Sequence, residues 1–560
     1  MEGKIEIPEV DERSRNRLKL VFYFFLFLFL IVILRLFYIQ IINSEKYKKL
    51  AETQHIKKVE AKAKRGNIFD RNGIIVASSI NARSFAIDPL LVKKDTFSLQ
   101  QYYRLGKLLG FATDKLNSIL NTKKRFIWLK RGLIEPPPEI DTISFTGLIK
   151  INEPKRLYLF GKTISNLIGV TNLDNIGISG LEFSFDSILK GEDGFVYFLK
   201  DARGNLHPTL ELPSQIAKDG KDIRLTIDIY LQRLINYFLE KGVLETKSKG
   251  GCIIVMNPNN GEILALANYP SFDPSNLGQV DEENFNLYAV NFAFEPGSTI
   301  KPLIAAIGIS RGIIDENHLF DGYNGIFRYG DIVIVDEHPA NKLNLVDALV
   351  FSSNIAFAQI STLIPTELLE KDLIKLGFGK KTGVKLPGEL KGYIKKGDTL
   401  TLIEQMFLGF GYGLFVTPLQ LAVAYSAIAN GGMLVSPKIL MSDTNNVFCD
   451  TVFKKSVVER LKNILVKVVN EGTATATKIE GIEIAGKTGT SQKFESGTYS
   501  KTNYINSFIG FLPANRPKIL VLILLDEPKS SIYASVTCVP IFKKIVLSMM
   551  NSTLAKYIFE

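Results

Sequence analysis

The sequence of 560 residues predicts an α+β protein with one N-terminal transmembrane helix, a β-rich middle region and a C-terminal region of strands and helices. Three observations predict this class. An uncharged run rich in Phe and Leu, from Leu20 to Leu34, lies near the N-terminus. A hairpin signal follows at Asn72-Gly73, and strand patterns alternate with helix patterns after Asp222.

The composition describes a folded, basic protein. Hydrophobic residues make up 46% and charged residues 22% of the chain, which is typical of globular proteins. The net charge of +11 could indicate nucleic-acid binding, but the lysines are spread out without aromatic interleaving or a recognisable nucleic-acid module. We expect no nucleic-acid partner; a basic surface that faces an anionic wall or a membrane is the alternative.

The cysteines and histidines do not indicate a metal site or a disulfide framework. Cys252, Cys449 and Cys538 are odd in number, far apart and without Cys-x-x-Cys spacing. The four histidines form no His-x-x-x-His pair. We therefore expect no metal site, and this favours chemistry carried by serine and lysine.

The apolar segment Leu18–Ile42 is long enough to cross the hydrocarbon core of a membrane with some tilt. A cleaved signal peptide is the alternative, but the run is long for one, and no small-x-small site follows before Ala61-Lys62-Ala63. Basic residues flank both ends, so the positive-inside rule does not decide the orientation. The simpler topology has residues 1–17 as a cytoplasmic tail, 18–42 as a signal anchor and the rest outside.

The next elements can be predicted in chain order. Apolar spacing in the polar segment Asn43–Lys64 predicts a helix that leaves the membrane. Asn72-Gly73, between Ile68-Phe69 and Ile74–Val76, predicts a hairpin closed by a type I′ turn, because that turn needs positive φ at both central residues.

A second domain is predicted to open near Asp222. Ile223–Ile227 alternates like a strand, and Asp228 is placed to cap a helix. Cys252–Met256 and Ile263–Ala267 form a predicted hairpin, with Cys252 in the core. Further along, Thr417-Pro418 predicts the N-cap and first residue of another helix.

Ser298 is the candidate nucleophile. Pro296-Gly297 predicts a turn, and the apolar run Leu303–Ile309 predicts a helix with Ser298 at or near its first residue. Residues three apart on a helix share a face, so the amine of Lys301 can lie beside the Ser298 hydroxyl. A lysine can activate a serine only if burial or a second cation lowers its pKa strongly. Pro296 to Lys301 is therefore a candidate acylation centre.

Two further motifs complete the candidate site, and each of the three motifs has a second copy, which for Ser-x-Asn is Ser14-Arg15-Asn16. Ser187-x-x-Lys190 repeats the first pattern, so the pattern alone does not choose between Ser187 and Ser298. Ser352-Ser353-Asn354 lies at a break in the apolar stretch Leu343–Ile364, where a hydroxyl and an amide can point the same way. Lys487-Thr488-Gly489-Thr490 follows a strand pattern, whereas Lys381-Thr382-Gly383 lies in a Gly-rich loop, so we assign the site to the copy at Lys487.

The order Ser-x-x-Lys, Ser-x-Asn, Lys-Thr-Gly resembles that of the serine acyl-transferases inhibited by penicillin. The string Arg65–Gly73 resembles the first non-catalytic motif of class B penicillin-binding proteins, and Ile178–Glu182 and Asp201–Gly204 are similar to later ones. Arg156-Leu157-Tyr158-Leu159 departs from this pattern, because it lacks the usual proline. The segments most similar to the division-specific FtsI (penicillin-binding protein 3) branch are Glu295–Ser298, Gly411–Gly413, Thr417–Leu421, Ala429–Gly432 and Ala485–Thr490.

This resemblance implies an architecture and an activity. It implies an elongated, dimerisation-like pedestal over residues 43–220 and, over 221–560, a transpeptidase domain with an antiparallel sheet flanked by helices. The implied activity is peptidoglycan D,D-transpeptidation in septal wall synthesis, with β-lactams as inhibitors and no cofactor. The implied location is the cytoplasmic membrane, single-pass, with the catalytic domain on the periplasmic side.

The resemblance also implies residue roles and partners. Ser298 would be the nucleophile, Lys301 the general base and Ser352 a proton relay. Substrate-binding roles would go to Asn354 for the peptide amide, Lys487 and Thr488 for the terminal carboxylate, Gly489 for close approach, and the N–H of Thr490, with that of Ser298, for the oxyanion. The implied partners are a stem pentapeptide, a polytopic glycan polymerase (FtsW-like) and other division proteins.

Other functions remain open at this point. A serine β-lactamase would share the three motifs but has little use for an anchor, a pedestal or the string Arg65–Gly73. A non-catalytic β-lactam sensor or divisome scaffold could keep an intact site. An elongation-specific transpeptidase of the same class is a third alternative, although that branch usually has proline where this chain has Glu295.

Overall fold

The structure is a computed structural model, and it describes residues 12–48, 56–200, 206–208, 214–443, 450–495 and 497–559. Within these ranges the fold class is α+β, as predicted. Cys449 and the motif Asp201–Gly204 lie outside the described residues.

The strands fall into two five-stranded sheets, one three-stranded sheet and two small hairpin-like pairs in the described part of the chain. Their bounds are β1 Ile56–Ala61, β2 Ile68–Phe69, β3 Ile75–Ile87, β4 Ile127–Leu133, β5 Leu148–Tyr158, β6 Gly194–Lys200, β7 Leu206–Pro208, β8 Ile223–Arg224, β9 Gly250–Met256, β10 Ile263–Tyr269, β11 Phe320–Asp321, β12 Ile326–Tyr329, β13 Ile332–Val335, β14 Lys342–Leu343, β15 Ala485–Glu495, β16 Thr498–Leu512 and β17 Ile519–Asp526.

The α-helices range from one turn to seven turns. Their bounds are α1 Glu12–Phe37, α2 44–48, α3 Pro89–Val92, α4 Thr96–Leu108, α5 Thr113–Leu120, α6 Pro138–Thr142, α7 Ser165–Ile168, α8 Gly180–Ser184, α9 Asp186–Leu189, α10 Ile229–Thr246, α11 Tyr288–Asn291, α12 Lys301–Ser310, α13 Leu345–Val350, α14 Asn354–Leu363, α15 Thr366–Lys375, α16 Leu402–Gly409, α17 Pro418–Ala429, α18 Lys455–Glu471, α19 Ala534–Met550 and α20 Lys556–Phe559.

The chain divides into two compact units, of which the first comprises Met1–Ala63 and Glu192–Lys218. Among the described residues, one helix, Arg15–Ile42, is long and apolar enough to cross a membrane, with a mean hydropathy of 2.8. The chain is helical again at 44–48, but β1 then pairs antiparallel with β6. The helix predicted over Asn43–Lys64 is therefore wrong at Ile56–Ala61, because a strand partner more than 130 residues away supplies the backbone hydrogen bonds.

The second unit comprises Lys64–Gly191 and Asp219–Glu560. Its first sheet has the order β4-β3-β2-β8, with β5 paired to β3 over its whole length. Helices α4 and α5 share a hydrophobic core with β3 and β4. The region predicted as β-rich thus also carries helices, whose amphipathic faces the sequence analysis did not identify.

The hairpin at Asn72-Gly73 forms, but its predicted turn type is wrong. Strands β2 and β3 are antiparallel, and Gly73 has a φ of +85° while Asn72 lies outside the left-handed region. The Asp70 carboxylate accepts hydrogen bonds from the N–H groups of Asn72 and Ile74, each at 2.8 Å. This side-chain cap stabilises a turn that needs only one left-handed residue.

A buried ionic cluster lies next to this hairpin. Arg65 donates to the Glu182 carboxylate at 2.5 Å and to Asp186 at 2.5 Å. Arg156 donates to the other Glu182 oxygen at 2.6 Å and to the carbonyl of Gly66 at 2.7 Å. The side chains of Arg65 and Glu182 are fully buried, so this network fixes the Arg65–Gly73 string by charge-assisted hydrogen bonds.

The second sheet has the order β10-β9-β17-β16-β15, and all its neighbours are antiparallel. Helices α10 and α19 pack together against it, and so do α17 and α18. The predicted Asp228 cap is confirmed, since its carboxylate accepts from Tyr230 and Leu231, and so is the burial of Cys252. Strand β15 lies at the edge of the sheet and is open to a further strand on one side.

Candidate active site

Ser298 lies at the start of an apolar helix, as predicted. A 3₁₀ turn, Gly297–Ile300, continues directly into α12, and Pro302 is in its first turn. Gly297 has a φ of +54°, which a residue with a Cβ adopts only with strain. Ser298 is partly exposed while Gly297 and Thr299 are buried, so its hydroxyl is the reachable group of this turn.

The 3₁₀ turn that carries Ser298 is called the nucleophile turn, and three contacts hold it in place. The Gly297 N–H donates to the carbonyl of Gly411 at 3.2 Å. The Tyr425 hydroxyl donates to the carbonyl of Thr299 at 2.6 Å. The Ser491 hydroxyl, on β15, donates to the carbonyl of Glu295 at 2.8 Å. The turn is therefore fixed from α17, from the loop after α16 and from β15, which gives the preorganisation that catalysis requires.

Lys301 is fully buried, and its amine contacts the Ser-x-Asn motif. Its Nζ lies 2.7 Å from the carbonyl oxygen of Ser352, 2.8 Å from Oδ1 of Asn354 and 3.2 Å from Oγ of Ser352. Helical spacing allowed a hydrogen bond between the Lys301 amine and the Ser298 hydroxyl. Among the described residues, the amine instead bonds to Ser352 and Asn354. A neutral amine can donate to the carbonyl and the amide and keep its lone pair for a proton.

Ser352 joins two lysines. Its hydroxyl oxygen lies 3.2 Å from Nζ of Lys301 and 2.9 Å from Nζ of Lys487. Its φ of +60° is strained for a residue with a side chain, and such strain clusters at functional sites. The hydroxyl is placed to pass a proton between the two amines.

Burial lowers the pKa of both lysines. Desolvation holds the pKa of Lys301 well below its usual value, and the neighbouring Lys487 lowers it further, while Asp336 and Glu337 oppose the shift. Desolvation also lowers the pKa of Lys487, to about 7, against the field of Glu337. An unprotonated Lys301 can act as a base near neutral pH.

Asp336 is a site residue that the sequence analysis missed. Its carboxylate accepts the Ser353 hydroxyl and the N–H groups of Asn354 and Ile355, the latter two at 2.6 and 3.1 Å. Ser353 in turn caps α14 through the N–H of Ala356. Asp336 precedes Asn354 by 18 residues in a hairpin without a motif, so no sequence signal indicated it.

The edge strand β15 supplies Thr488, Gly489 and Thr490. The hydroxyl of Thr488 lies 2.9 Å from that of Thr473, and the hydroxyl of Thr490 accepts from the N–H of Ala534 at 3.2 Å. A Cβ on Gly489 would lie 2.6 Å from Oγ of Ser507 and 2.7 Å from Cγ2 of Thr299. Gly489 therefore lets β15 approach its neighbouring strand and the nucleophile turn closely.

A cavity of about 320 Å³ brings five of the eight predicted site residues together, while Lys301, Lys487 and Gly489 lie outside its lining. It is lined by Ser298, Ser352, Asn354, Thr488 and Thr490, together with Glu337 and an aromatic rim of Phe351, Phe410, Tyr412, Tyr504 and Tyr533. A larger cavity of about 630 Å³ is lined by β5 and the segments near Asn172 and Asp273. The larger one contains none of the three motifs, so the smaller one is the candidate active site.

The second copies of the motifs lie elsewhere. Ser187 and Lys190 are exposed, in and just after the short helix α9. Lys381-Thr382-Gly383 lies in a loop, where the Glu389 carboxylate accepts the N–H groups of Thr382 and Gly383. The loop interpretation of this copy is confirmed.

Comparison with known proteins gives the family. Residues 251–547 match the penicillin-binding protein transpeptidase domain, and residues 60–225 match the penicillin-binding protein dimerisation domain. The chain belongs to the penicillin-binding transpeptidases. The resemblance drawn from the motifs is therefore confirmed, and the penicillin-binding transpeptidase can be compared with its relatives over most of its length.

Two curated relatives and one solved structure illustrate the match. The protein is 34% identical over 523 residues to the probable peptidoglycan D,D-transpeptidase PenA of Neisseria meningitidis, covering 92% of this chain and 89% of the relative. It is 30% identical over 528 residues to peptidoglycan D,D-transpeptidase FtsI of Escherichia coli, covering 92% and 89%. Penicillin-binding protein 3 of Mycobacterium tuberculosis, solved with aztreonam, has the same fold, with a TM-score of 0.68 at 24% identity, over 88% of this chain and 97% of that one.

Proposed function

We propose that this protein is a serine D,D-transpeptidase that cross-links peptidoglycan stem peptides during septal wall synthesis. The observation that carries the proposal is a cavity lined by Ser298, Ser352 and β15, with the amine of Lys301 hydrogen-bonded to Ser352. Relatives named D,D-transpeptidases over more than nine-tenths of the chain support the activity. The septal role rests on the segment Glu295–Ser298, which resembles the division-specific branch.

The acylation step follows from the roles of these groups. Ser298 attacks the carbonyl of the penultimate D-Ala, and Lys301 takes its proton. The proton passes through Ser352 to the leaving D-Ala amine. The N–H groups of Ser298 and Thr490 stabilise the oxyanion, and one such donor is worth about 3 kcal/mol.

Substrate binding is assigned to the remaining residues. Lys487 and Thr488 bind the terminal carboxylate of the donor. The amide of Asn354 donates one N–H to the carbonyl of Val335 at 3.1 Å, which leaves its second N–H for the peptide carbonyl. Gly489 keeps the edge of β15 close to Ser298. An amine of a neighbouring stem peptide then takes the acyl group and releases Ser298.

The setting of the site is part of the same proposal. Residues 18–42 anchor the chain as a single pass, residues 43–220 form the pedestal, and residues 221–560 form the catalytic domain on the periplasmic side. A polytopic, FtsW-like glycan polymerase and other division proteins are the proposed partners. Depletion of the protein in cells should give filaments, whereas rounded cells would assign it to elongation.

The decisive experiment is covalent labelling by a fluorescent penicillin. Wild type should label, Ser298→Ala should not, and the matched control Ser187→Ala should label like wild type. Labelling of Ser298→Ala, or loss of label in Ser187→Ala, would refute the assignment of the nucleophile. Rapid turnover of the penicillin by wild type would instead indicate a β-lactamase.

A further inference from the structure

Glu337 lies in the wall of the candidate active-site cavity, and it differs from the rest of the described lining in being charged. The other side chains of the described lining are hydroxyl, amide, aromatic or aliphatic groups. Glu337 follows strand β13, whose last residue, Val335, accepts a hydrogen bond from the amide of Asn354. It therefore lies on the side of the cavity formed by the Ser-x-Asn motif.

The carboxylate of Glu337 has no protein partner within the described ranges. No hydrogen bond or ion pair joins it to a described residue, and the side chain is exposed. Its neighbour Asp336 differs completely, because it is buried and accepts three hydrogen bonds from the segment Ser353–Ile355. Asp336 thus stabilises the Ser-x-Asn segment, while the carboxylate oxygens of Glu337 remain able to accept hydrogen bonds from a ligand in the cavity.

The charge of Glu337 works against the other requirements of the site. Its field raises the pKa of both Lys301 and Lys487, which opposes the neutral state that a base needs. It also repels the terminal carboxylate of the donor. A cationic ligand is the class of substrate that such a charge favours, and in the function proposed above the acceptor is the reactant whose amine must reach the acyl carbon on Ser298.

We propose that Glu337 binds the primary ammonium group of the acceptor stem peptide and positions it for attack on the acyl-enzyme. This inference rests on the proposed transpeptidase function and names the substrate class that the second half-reaction recognises. The terminal carboxylate of the donor then lies at β15, and the ammonium group of the acceptor lies at Glu337.

The proton balance of the transfer follows. The bound ammonium releases one proton to solvent. The neutral amine forms a bond to the acyl carbon, and the ester bond to Ser298 Oγ breaks. A second proton passes from the amine nitrogen through Lys301 to Ser298 Oγ, and the third remains on the new amide. Binding by Glu337 also raises the chance of attack by the amine over attack by water.

The test uses the full chain, a D-alanyl thioester donor and two acceptors at pH 7. D-Alaninamide is largely protonated at this pH, whereas hydroxylamine is largely uncharged. The measured quantity is the ratio of aminolysis product to hydrolysis product. For Glu337→Gln we expect this ratio to fall about five-fold with D-alaninamide, in keeping with a solvent-exposed ion pair, and to stay at the wild-type value with hydroxylamine.

Two controls separate recognition from structure. Glu480→Gln removes an exposed carboxylate outside the cavity lining and should leave both ratios unchanged, while Glu337→Asp should restore part of the ratio. Acylation of Glu337→Gln by fluorescent penicillin should be no slower than that of wild type.

Other outcomes overturn the inference. An unchanged ratio with D-alaninamide, or an equal fall with hydroxylamine, shows that Glu337 does not recognise the charged amine. Loss of penicillin labelling in Glu337→Gln shows a structural role instead. Failure of wild type to form any acyl-enzyme refutes the proposed function itself, and is distinguishable because labelling is measured before any acceptor is added.

Discussion

Two clusters of buried cations lie in the second compact unit, and their charges are balanced in opposite ways. In the pedestal, Arg65 and Arg156 share the carboxylate of Glu182, and Arg65 also reaches Asp186. In the active site, Lys301 and Lys487 are equally buried, but their nearest partners are the uncharged Ser352 and Asn354. The first cluster pairs its cations with carboxylates, and in the second burial lowers the pKa of both amines.

The difference shows how burial serves structure in one place and chemistry in another. A guanidinium stays protonated at any working pH, so it can be buried only with a carboxylate partner. A lysine amine can lose its proton, and desolvation without a carboxylate partner drives that loss. Paired burial therefore holds the Arg65–Gly73 string, while unpaired burial lowers the pKa of Lys301, as its proposed role as a base requires.

The largest expected effect comes from removing the base. Lys301→Met should slow acylation by fluorescent penicillin by about 10²- to 10⁴-fold, as expected for loss of a general base. The free energy of unfolding should stay the same or rise, because no ion pair is lost and a desolvated amine is removed. Labelling rates and thermal unfolding measure the two effects. Lys190→Met, in the exposed second copy of the motif, should change neither quantity.

The next largest effect should appear in the pedestal. Glu182→Gln leaves two buried guanidinium groups short of a counter-charge and should cost about 3–5 kcal/mol of stability. Thermal unfolding measures this, and penicillin labelling per folded molecule should be preserved. The control Glu316→Gln removes the partly exposed pair with Arg460 and should cost less than about 1 kcal/mol. Equal losses of stability in Glu182→Gln and Glu316→Gln would contradict the explanation that Glu182 is needed to pair with two buried guanidinium groups.

A smaller effect should appear in the pH dependence of acylation. If Lys301 is the base, the rate should fall at low pH as its amine takes up a proton. Lys487 lowers the pKa of Lys301, so Lys487→Gln should raise that pKa and move the acidic limb of the profile to higher pH. If the acidic limb of the Lys487→Gln profile stays at the same pH while the maximal acylation rate falls, Lys487 acts in substrate binding and does not set the pKa of Lys301.

The smallest effect should run in the opposite direction. The carboxylate of Asp336 raises the pKa of Lys301, so Asp336→Asn should lower that pKa and move the acidic limb to lower pH. The same variant should lose about 1–2 kcal/mol of stability, because its hydrogen bonds to Ser353 and Asn354 are no longer charge-assisted. pH-rate profiles and thermal unfolding would check both. A limb moved to higher pH would show that Lys301 titrates under the control of another group.

Much of the fold could be predicted from local patterns. The apolar N-terminal helix, the strands β9 and β10, and the Asp228 and Thr417 caps follow from periodicity and capping chemistry, which act within a few residues. The strand at Ile56–Ala61 and the helices α4 and α5 were missed. Their stability comes from partners distant in the sequence, such as β6 for β1, and local patterns do not report such partners.

The residues of the candidate site also fall into a group that local motifs predicted and a group that only long-range packing brings to the site. Ser298, Lys301, Ser352, Asn354 and Lys487–Thr490 were named from three short motifs in order, since spacing along a helix or strand fixes which groups face one way. Asp336 and Glu337 carried no motif. They reach the site because the segment after β13 folds back onto the break between α13 and α14, which only long-range packing brings about.

The sequence by itself determined the family and the candidate site motifs, because short motifs and periodicity encode local geometry. The tertiary structure alone decided the charge state of the site. Whether Lys301 is a base depends on complete burial, on Lys487 from a distant strand and on the absence of a carboxylate at bonding distance within the described residues. Desolvation and through-space charge depend on the positions of all surrounding groups, so no local pattern can specify them.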